Sequence, residues 1–201
     1  MTLYIYKEIY VDGCYDLPRL PNANAAIIDI GANTGLFAIR MLQLYPEASL
    51  FCYEPMPGNF AQLTANLDAS KIGAFQAFEE GVGGHARVEK LFIHSRNVGG
   101  HSIYPTIASS TRSIEIKLTD IQVALSRLGG RNCSLLKLDC EGAEYEILKS
   151  IDRSTALRID RIIFEPTPSV YDINELNGHL EQVGYEMNWN SGIFVGVRRG
   201  Q

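Results

Sequence analysis

The sequence contains no cluster of lysine and arginine, no long apolar run and no closely paired cysteines. Its 201 residues carry 18 Lys and Arg against 23 Asp and Glu, a formal net charge of −5. This balance argues against nucleic acid as a partner. Because no run of about 18 uncharged apolar residues occurs, we expect no membrane span. The first eight residues lack the basic start and long apolar run of a signal peptide, so we do not expect them to be one.

The four cysteines, at positions 14, 52, 133 and 140, form no Cys-x-x-Cys pair. This pattern favours buried, reduced thiols in a cytoplasmic protein over a disulfide framework or a cysteine metal site. The apolar content of 46% and charged content of 20% are ordinary for a globular protein. The length predicts one domain, which we place at residues 26–201 after a lead-in segment of residues 1–25.

One stretch organises the rest of the chain, an apolar strand at residues 26–30 followed by the turn Gly31-Ala32-Asn33-Thr34-Gly35. A strand that is apolar on both faces is typical of a parallel sheet covered by helices on both sides. The glycines allow a sharp turn and a close approach to a ligand. The helix after the turn would direct free N–H groups and its positive dipole end at that ligand.

Strand and helix patterns alternate along most of the chain and predict an α/β fold with a Rossmann-like, doubly wound sheet. The sheet is mostly parallel, and the segments 185–189 and 193–197 close it as an antiparallel C-terminal hairpin. Three local expectations are a strand at residues 4–11 that lies at the edge of the sheet or across it, a glycine turn at 81–84 and a long loop at 95–113. Thr119 and Gln122 form a capping box that would open a helix.

Four acidic residues fall at strand ends, namely Asp29, Glu54, Asp139 and Glu165. Since the carboxyl ends of parallel strands share one edge, these side chains would line one crevice. Taken singly, each is better explained as a solvated turn residue or a helix cap, whereas four such acids along one edge favour a shared site. Glu54 follows the second strand by the spacing at which nucleotide-binding sheets place an acid for ribose hydroxyls. The ligand is therefore predicted to contain a ribose.

The glycine turn lacks one feature of dinucleotide-binding sites. Position 33 is Asn, where a Gly-x-Gly-x-x-Gly fingerprint needs its second glycine to make room for a pyrophosphate. This favours a ribosyl ligand without a pyrophosphate, most commonly S-adenosylmethionine (SAM). A nicotinamide-dependent oxidoreductase is the weaker alternative, because a separate substrate domain is also missing.

Three motifs resemble those of the FkbM family of SAM-dependent methyltransferases. They are Ile28-Asp29-Ile30-Gly31-Ala32-Asn33-Thr34-Gly35, Tyr53-Glu54-Pro55-Met56-Pro57-Gly58-Asn59-Phe60 and Leu136-Lys137-Leu138-Asp139-Cys140-Glu141-Gly142-Ala143-Glu144. The resemblance runs from about residue 26 to residue 198, and the third motif is the most specific. Cys140 stands where an aliphatic residue is usual, and no histidine follows Glu165-Pro166.

The resemblance implies a seven-stranded fold and O-methylation of a hydroxyl on a sugar or secondary metabolite. Gly31, Asn33 and Gly35 would surround the methionine part of SAM, with Asp29 near its amino group and Glu54 on the ribose. Thr34 and Pro55 belong to the same cofactor set, and Glu80 is a weaker candidate near adenine.

The resemblance places Asp139 and Glu141 beside the methyl group and the acceptor. An aliphatic hydroxyl loses its proton when methylated, so a base assists the reaction. Asp139, Glu141 and His101 are the catalytic candidates, although a solvated loop histidine is the better explanation of His101. A divalent cation held by Asp139, Glu141 and Glu165 is possible on ligand chemistry but is not favoured.

Two further questions stay open at this level. A non-catalytic SAM-fold binding module is the alternative to an enzyme with a small-molecule acceptor, and a homodimer is compatible with either. The tyrosines at positions 4, 6, 10 and 15 are expected to pack over the sheet edge, with a substrate-covering lid as the alternative.

Overall fold

The computed structural model describes residues 2–15, 20, 22–95, 97 and 99–200. The main sheet has seven strands in the order β3-β2-β1-β7-β8-β10-β9. They are β1 Ala26–Ile30, β2 Ser49–Tyr53, β3 Ala74–Phe78, β7 Leu135–Leu138, β8 Arg161–Phe164, β9 Tyr185–Asn190 and β10 Ile193–Arg198. The first five of these strands are parallel, and β10 lies antiparallel between β8 and β9. The predicted fold class is confirmed.

The helices cover both faces of this sheet. They are α1 Thr2–Tyr6, α2 Leu36–Leu44, α3 Pro57–Ser70, α4 Pro105–Ala108, α5 Ile121–Ser126, α6 Glu144–Lys149, α7 Arg153–Ala156 and α8 Ile173–Val183. Alternate residues of β1 serve the two layers. Ile28 packs with residues of α5, α6 and α8, whereas Ile27 packs with residues of α2 and α3. The apolar pattern of β1 therefore reflects burial on both faces.

A second sheet of three strands, in the order β4-β6-β5, stands beside the carboxyl edge of the main sheet. Its strands are β4 Gly81–Gly83, β5 Arg87–Phe92 and β6 Ser113–Asp120. The prediction of a turn at residues 81–84 is wrong for its first three residues, because they pair with β6 in parallel. A Cβ on Gly81 would lie 2.6 Å from the Leu118 side chain, so the glycine permits this close pairing.

The predicted strand at residues 4–11 is also wrong, since α1 continues into a π-helical turn at Lys7–Val11. Ile5 and Ile9 are four residues apart and share one helical face, which packs against the layer containing α2. Tyr6 and Tyr10 stack with ring centroids 4.7 Å apart, and Tyr15 packs edge-on against Phe37. The side chain of Tyr4 lies outside the described part of the structure.

Two other local predictions need correction. The loop predicted at residues 95–113 contains α4, which begins at a proline in its first turn. The cap of α5 is Asp120, whose carboxylate accepts a hydrogen bond from the Val123 amide, while Thr119 belongs to β6.

At the C-terminus the predicted hairpin is confirmed. Ser191 and Gly192 both have positive φ, as a two-residue hairpin turn requires.

Candidate active site

The turn after β1 is fixed by its neighbours. The amides of Gly31 and Ala32 both donate to the Tyr53 carbonyl at 3.0 Å. Gly31 has φ +74°, and a Cβ there would lie 1.9 Å from the carbonyl oxygen of Asp139. Asn33 also has positive φ, and Gly35 at φ +86° leads into α2. Only glycine therefore fits at position 31, where the ends of β1 and β7 touch.

Glu54, at the end of β2, holds this turn from the other side. Its side chain is buried, with 6% of its surface exposed. One carboxylate oxygen accepts from the Asn33 amide at 2.8 Å and the other from the Met56 amide at 2.9 Å. Burial raises the pKa of Glu54 to about 7, although the two amide bonds oppose that rise. Each oxygen retains a lone pair for another donor, such as a hydroxyl of a diol.

Lys137 is a site residue that the sequence reasoning did not single out. Its buried ammonium lies 3.0 Å from Asp29 Oδ1, 2.9 Å from the Gly31 carbonyl and 3.7 Å from Asp139 Oδ2. Burial alone would lower the pKa of Lys137, but the charges of Asp29 and Asp139 outweigh burial and raise it. The lysine thus stays charged and ties the glycine turn to Asp139. The sequence does mark Lys137, because it is the single charged residue inside the otherwise apolar, buried strand β7.

Asp139, Glu141 and Glu165 lie at the ends of β7 and β8 and line the same cavity. Burial, then the charges of Asp139 and Glu144, raise the pKa of Glu141 to about 7. Burial, Asp139, Glu8 and Glu141 together raise the pKa of Glu165 to about 8. Glu141 and Glu165 therefore take up protons near neutral pH, because burial and the neighbouring carboxylates disfavour their ionised forms.

The loop that carries Glu141 is clamped from two directions. Glu144 is fully buried, and its carboxylate accepts from the amides of Cys140 at 2.7 Å and Gly142 at 2.8 Å. The Ser102 hydroxyl donates to the Glu141 carbonyl at 2.5 Å. Glu141 itself has φ +51°, so these bonds hold a backbone conformation that favours glycine. Glu144 is a first-turn acid of α6, as the sequence indicated, but its carboxylate also holds this loop.

The cavity between these elements has a volume of about 540 Å³, within the usual range for small-molecule sites. We define two sides. The glycine-turn side comprises Gly31, Ala32, Asn33, Thr34, Glu54 and Pro55, and the carboxylate side comprises Glu8, His101, Asp139, Glu141 and Glu165. Val82, Leu91, Ile116 and Leu118 of the small sheet add an apolar wall, and Ile5, Ile9 and Tyr15 add a roof.

Three predicted site residues do not line this cavity. Asp29 is fully buried beneath it, in its ion pair with Lys137. Gly35 packs against the Leu63 side chain at the start of α2. The carboxylate of Glu80 pairs with Arg127. The remaining predicted cofactor and catalytic residues all lie in the cavity wall.

Among the residues that the structure describes, no group of three or more His, Cys, Asp or Glu side chains is arranged to hold a metal ion. Cys14, Cys52 and Cys133 are buried free thiols, and Cys140 is a half-buried one. In the described part of the chain, no helix has the length and apolarity needed to cross a bilayer.

Comparison with known proteins gives consistent results. The family described as Methyltransferase FkbM domain matches residues 29–187. Methyltransferase 1 of Beauveria bassiana is 26% identical over 204 residues, which cover 90% of this chain and 80% of that protein. The 31-O-demethyl-FK506 methyltransferase FkbM of Streptomyces tacrolimicus is 23% identical over 209 residues, which cover 90% of this chain and 77% of that protein.

A solved structure shows the same fold. The crystal structure of a methyltransferase FkbM from Methylobacillus flagellatus KT aligns with a TM-score of 0.65 at 14% identity. The alignment covers 96% of this chain but 47% of that one, so the chain spans about half the length of that structure. The family match extends from the end of β1 into β9 and includes Glu54, Asp139, Glu141 and Glu165 of the cavity, but not Glu8. The chain therefore belongs to the FkbM family of methyltransferases.

Proposed function

We propose that the protein is a SAM-dependent O-methyltransferase that methylates a hydroxyl of a small molecule. The observation that carries this proposal is one cavity with two chemically different sides. The glycine-turn side offers backbone groups and the Glu54 carboxylate to a cofactor, while the carboxylate side offers proton acceptors. The Streptomyces relative is named as a methyltransferase acting at an oxygen, which supports transfer to oxygen here.

The residues present fit SAM in three respects. Both oxygens of Glu54 are oriented by backbone amides and can each accept a bond from a ribose hydroxyl. Next to Glu54, Pro55 and Leu118 both lie close to Gly81 in the cavity wall and offer an apolar surface suited to adenine. Asn33 narrows the turn where a dinucleotide would need space for its pyrophosphate.

The other cofactor residues have distinct tasks in this proposal. Gly31, Asn33 and Thr34 would border the methionine part of SAM. Gly35 would contribute indirectly, because its positive φ allows α2 to begin directly after the turn. Asp29 would act through Lys137, because its own carboxylate lies below the cavity wall. Glu80 is placed outside the cofactor set, since its carboxylate pairs with Arg127.

When bound, SAM supplies a methyl group on a sulfonium, which an oxygen nucleophile can take. The chain must then exclude water, orient the acceptor and remove the hydroxyl proton. Asp139 and Glu141 are the proposed proton acceptors. A base works best with a pKa near the working pH, a condition that Glu141 meets with its pKa of about 7. The roof from residues 5–15 would limit access of water to this side.

An Asp139→Asn variant tests the catalytic assignment. Methyl transfer from labelled SAM to a panel of hydroxylated small molecules would be compared with SAM affinity measured by calorimetry. We expect turnover to fall by roughly 10²-fold or more while SAM affinity stays within threefold. Unchanged turnover on the acceptors that the unmodified protein methylates would contradict a catalytic role for Asp139.

A further inference from the structure

His101 lies in the cavity wall, on a segment that is hydrogen-bonded to the loop carrying Asp139 and Glu141. Its neighbour Ser102 exchanges two backbone hydrogen bonds with Phe92, at 2.8 and 3.2 Å. The Ser102 hydroxyl in turn donates to the Glu141 carbonyl at 2.5 Å. The His101 backbone is therefore held beside the loop that presents Asp139 and Glu141.

The ring of His101 is oriented by a backbone amide. Its Nδ1 accepts a hydrogen bond from the His94 N–H at 3.1 Å. A ring nitrogen that accepts a hydrogen bond carries no proton, so the neutral imidazole carries its proton on Nε2. Because Nδ1 is used by the His94 amide, Nε2 is the ring nitrogen left for a ligand of the cavity that His101 lines, and it is a donor.

We propose that His101 is a fixed hydrogen-bond donor to the methyl acceptor and is not the base that removes its proton. This inference rests on the proposed function and refines the acceptor side of that site. A base must offer a lone pair to the substrate, and the lone pair of neutral His101 is already used at Nδ1. Taking a proton there would break the bond to His94 and leave two N–H groups facing each other.

The surroundings of the ring support a neutral donor. Burial, and then the neighbouring His94, lower the pKa of His101 below its ordinary value. The ring is therefore uncharged at neutral pH and keeps its single N–H. Removal of the hydroxyl proton then falls to a carboxylate, in agreement with Asp139 and Glu141 as the proposed bases.

The His101 donor also constrains the chemical structure of the methyl acceptor. A hydrogen bond donated to the oxygen that attacks the methyl group would make that oxygen a weaker nucleophile. We therefore expect the Nε2–H to bind an oxygen other than the one that is methylated. The methyl acceptor would then carry a second hydroxyl, carbonyl or ether oxygen near the methylated hydroxyl. Such a donor also orients the acceptor within the cavity.

The first test is the tautomer of His101, which needs no acceptor. Long-range ¹H–¹⁵N spectra of the ¹⁵N-labelled full chain at pH 7.5 distinguish Nε2–H from Nδ1–H rings. The His101→Gln variant assigns the signals by removing one set. We expect His101 to be protonated at Nε2, both alone and with S-adenosylhomocysteine. Protonation at Nδ1 would overturn the inference.

The second test separates donor from base by substitution. Glutamine keeps an N–H donor but cannot take a proton, so His101→Gln should retain kcat/KM within about threefold. His101→Ala should lose roughly fivefold to tenfold, as expected for one neutral hydrogen bond. A base would instead make both variants lose roughly 10²- to 10⁴-fold, which would overturn the proposal. His85→Gln, at an exposed position outside the cavity, is the control.

The two hypotheses fail in different ways. If the unmodified protein binds no SAM, the proposed function fails. The tautomer measurement still decides whether His101 presents a donor to the cavity. If SAM binds and is turned over but His101 is protonated at Nδ1, the donor assignment alone is lost.

Discussion

The two sides of the cavity are built differently. On the glycine-turn side, the polar groups come from the ends of two adjacent strands and are satisfied by backbone bonds, as in Glu54 with the amides of Asn33 and Met56. On the carboxylate side, Glu8, His101, Asp139 and Glu165 come from four distant segments, and the negative charges of the carboxylates repel one another. The first arrangement suits a ligand common to a family, and the second suits a ligand that differs between members.

The largest expected effect comes from Gly31, where the two sides meet. Gly31→Ala would place a Cβ 1.9 Å from the Asp139 carbonyl at a residue with φ +74°. We expect the free energy of unfolding to fall by about 3 kcal/mol or more, measured by urea denaturation. Gly178→Ala is the matched control, because no atom lies within 4 Å of the added Cβ in α8. That variant should gain about 0.5 to 1 kcal/mol. Equal stabilities for the two variants would contradict this account of Gly31.

A second pair of variants tests the clamp on the carboxylate side. Glu144 and Glu146 both occupy the first turn of α6, but Glu144 is buried against two loop amides and Glu146 pairs with Arg87 near the surface. Glu144→Gln should lower the free energy of unfolding by about 2 to 3 kcal/mol, because the amide presents N–H to N–H. Glu146→Gln should lower it by about 1 kcal/mol or less. Similar losses for both would show that the clamp adds nothing specific.

The third effect concerns the glycine-turn side. In Glu54→Gln one of the two backbone amides loses its acceptor, and ribose would lose a charged partner. We expect the Kd for SAM to rise roughly 10- to 100-fold in calorimetry, consistent with hydrogen bonds to a charged group. Glu186→Gln, at an exposed position of β9, should leave the Kd unchanged. A Glu54→Gln protein that is folded and binds SAM as tightly as the unmodified chain would exclude this role.

The smallest effect is a pH dependence from the carboxylate side. The pKa values of Glu141 and Glu165 are raised in the folded state to about 7 and about 8. Raised carboxyl pKa values mean that the folded state keeps protons which the unfolded state has released. This stability is therefore present below about pH 4.5 and is lost as pH rises through 7 and 8.

Glu165→Gln should reduce this loss between pH 5 and pH 8. The difference should be at most about 1 kcal/mol, since Glu165 is open to the cavity and water screens its charge. Urea denaturation of both proteins at several pH values measures it. A stability that rises over this interval in the unmodified protein, and equally in the variant, would contradict the assigned pKa directions.

The same contrast explains what the sequence could predict. The glycine turn and Glu54 lie in short motifs with a known physical purpose, so their placement follows from strand order. Local patterns also predict the strands of the main sheet, although the pattern of β3 is weak because none of its residues is fully buried.

The roof of the cavity could not be predicted in this way. The segment at residues 4–11 fits both an alternating strand and a helix with Ile5 and Ile9 on one face, and only packing against the α2 layer decides between them. The strand at Gly81–Gly83 was missed because its pairing with β6 depends on residues more than 30 positions away. Lys137 was missed because its three partners meet only in the folded sheet.

The most direct test of the central claim is a calorimetric titration of the full chain with SAM, S-adenosylhomocysteine and NAD. The account predicts that SAM and S-adenosylhomocysteine bind with micromolar dissociation constants and that NAD does not bind. Binding of NAD alone, or of none of the three, would contradict the proposal that the glycine-turn side holds SAM.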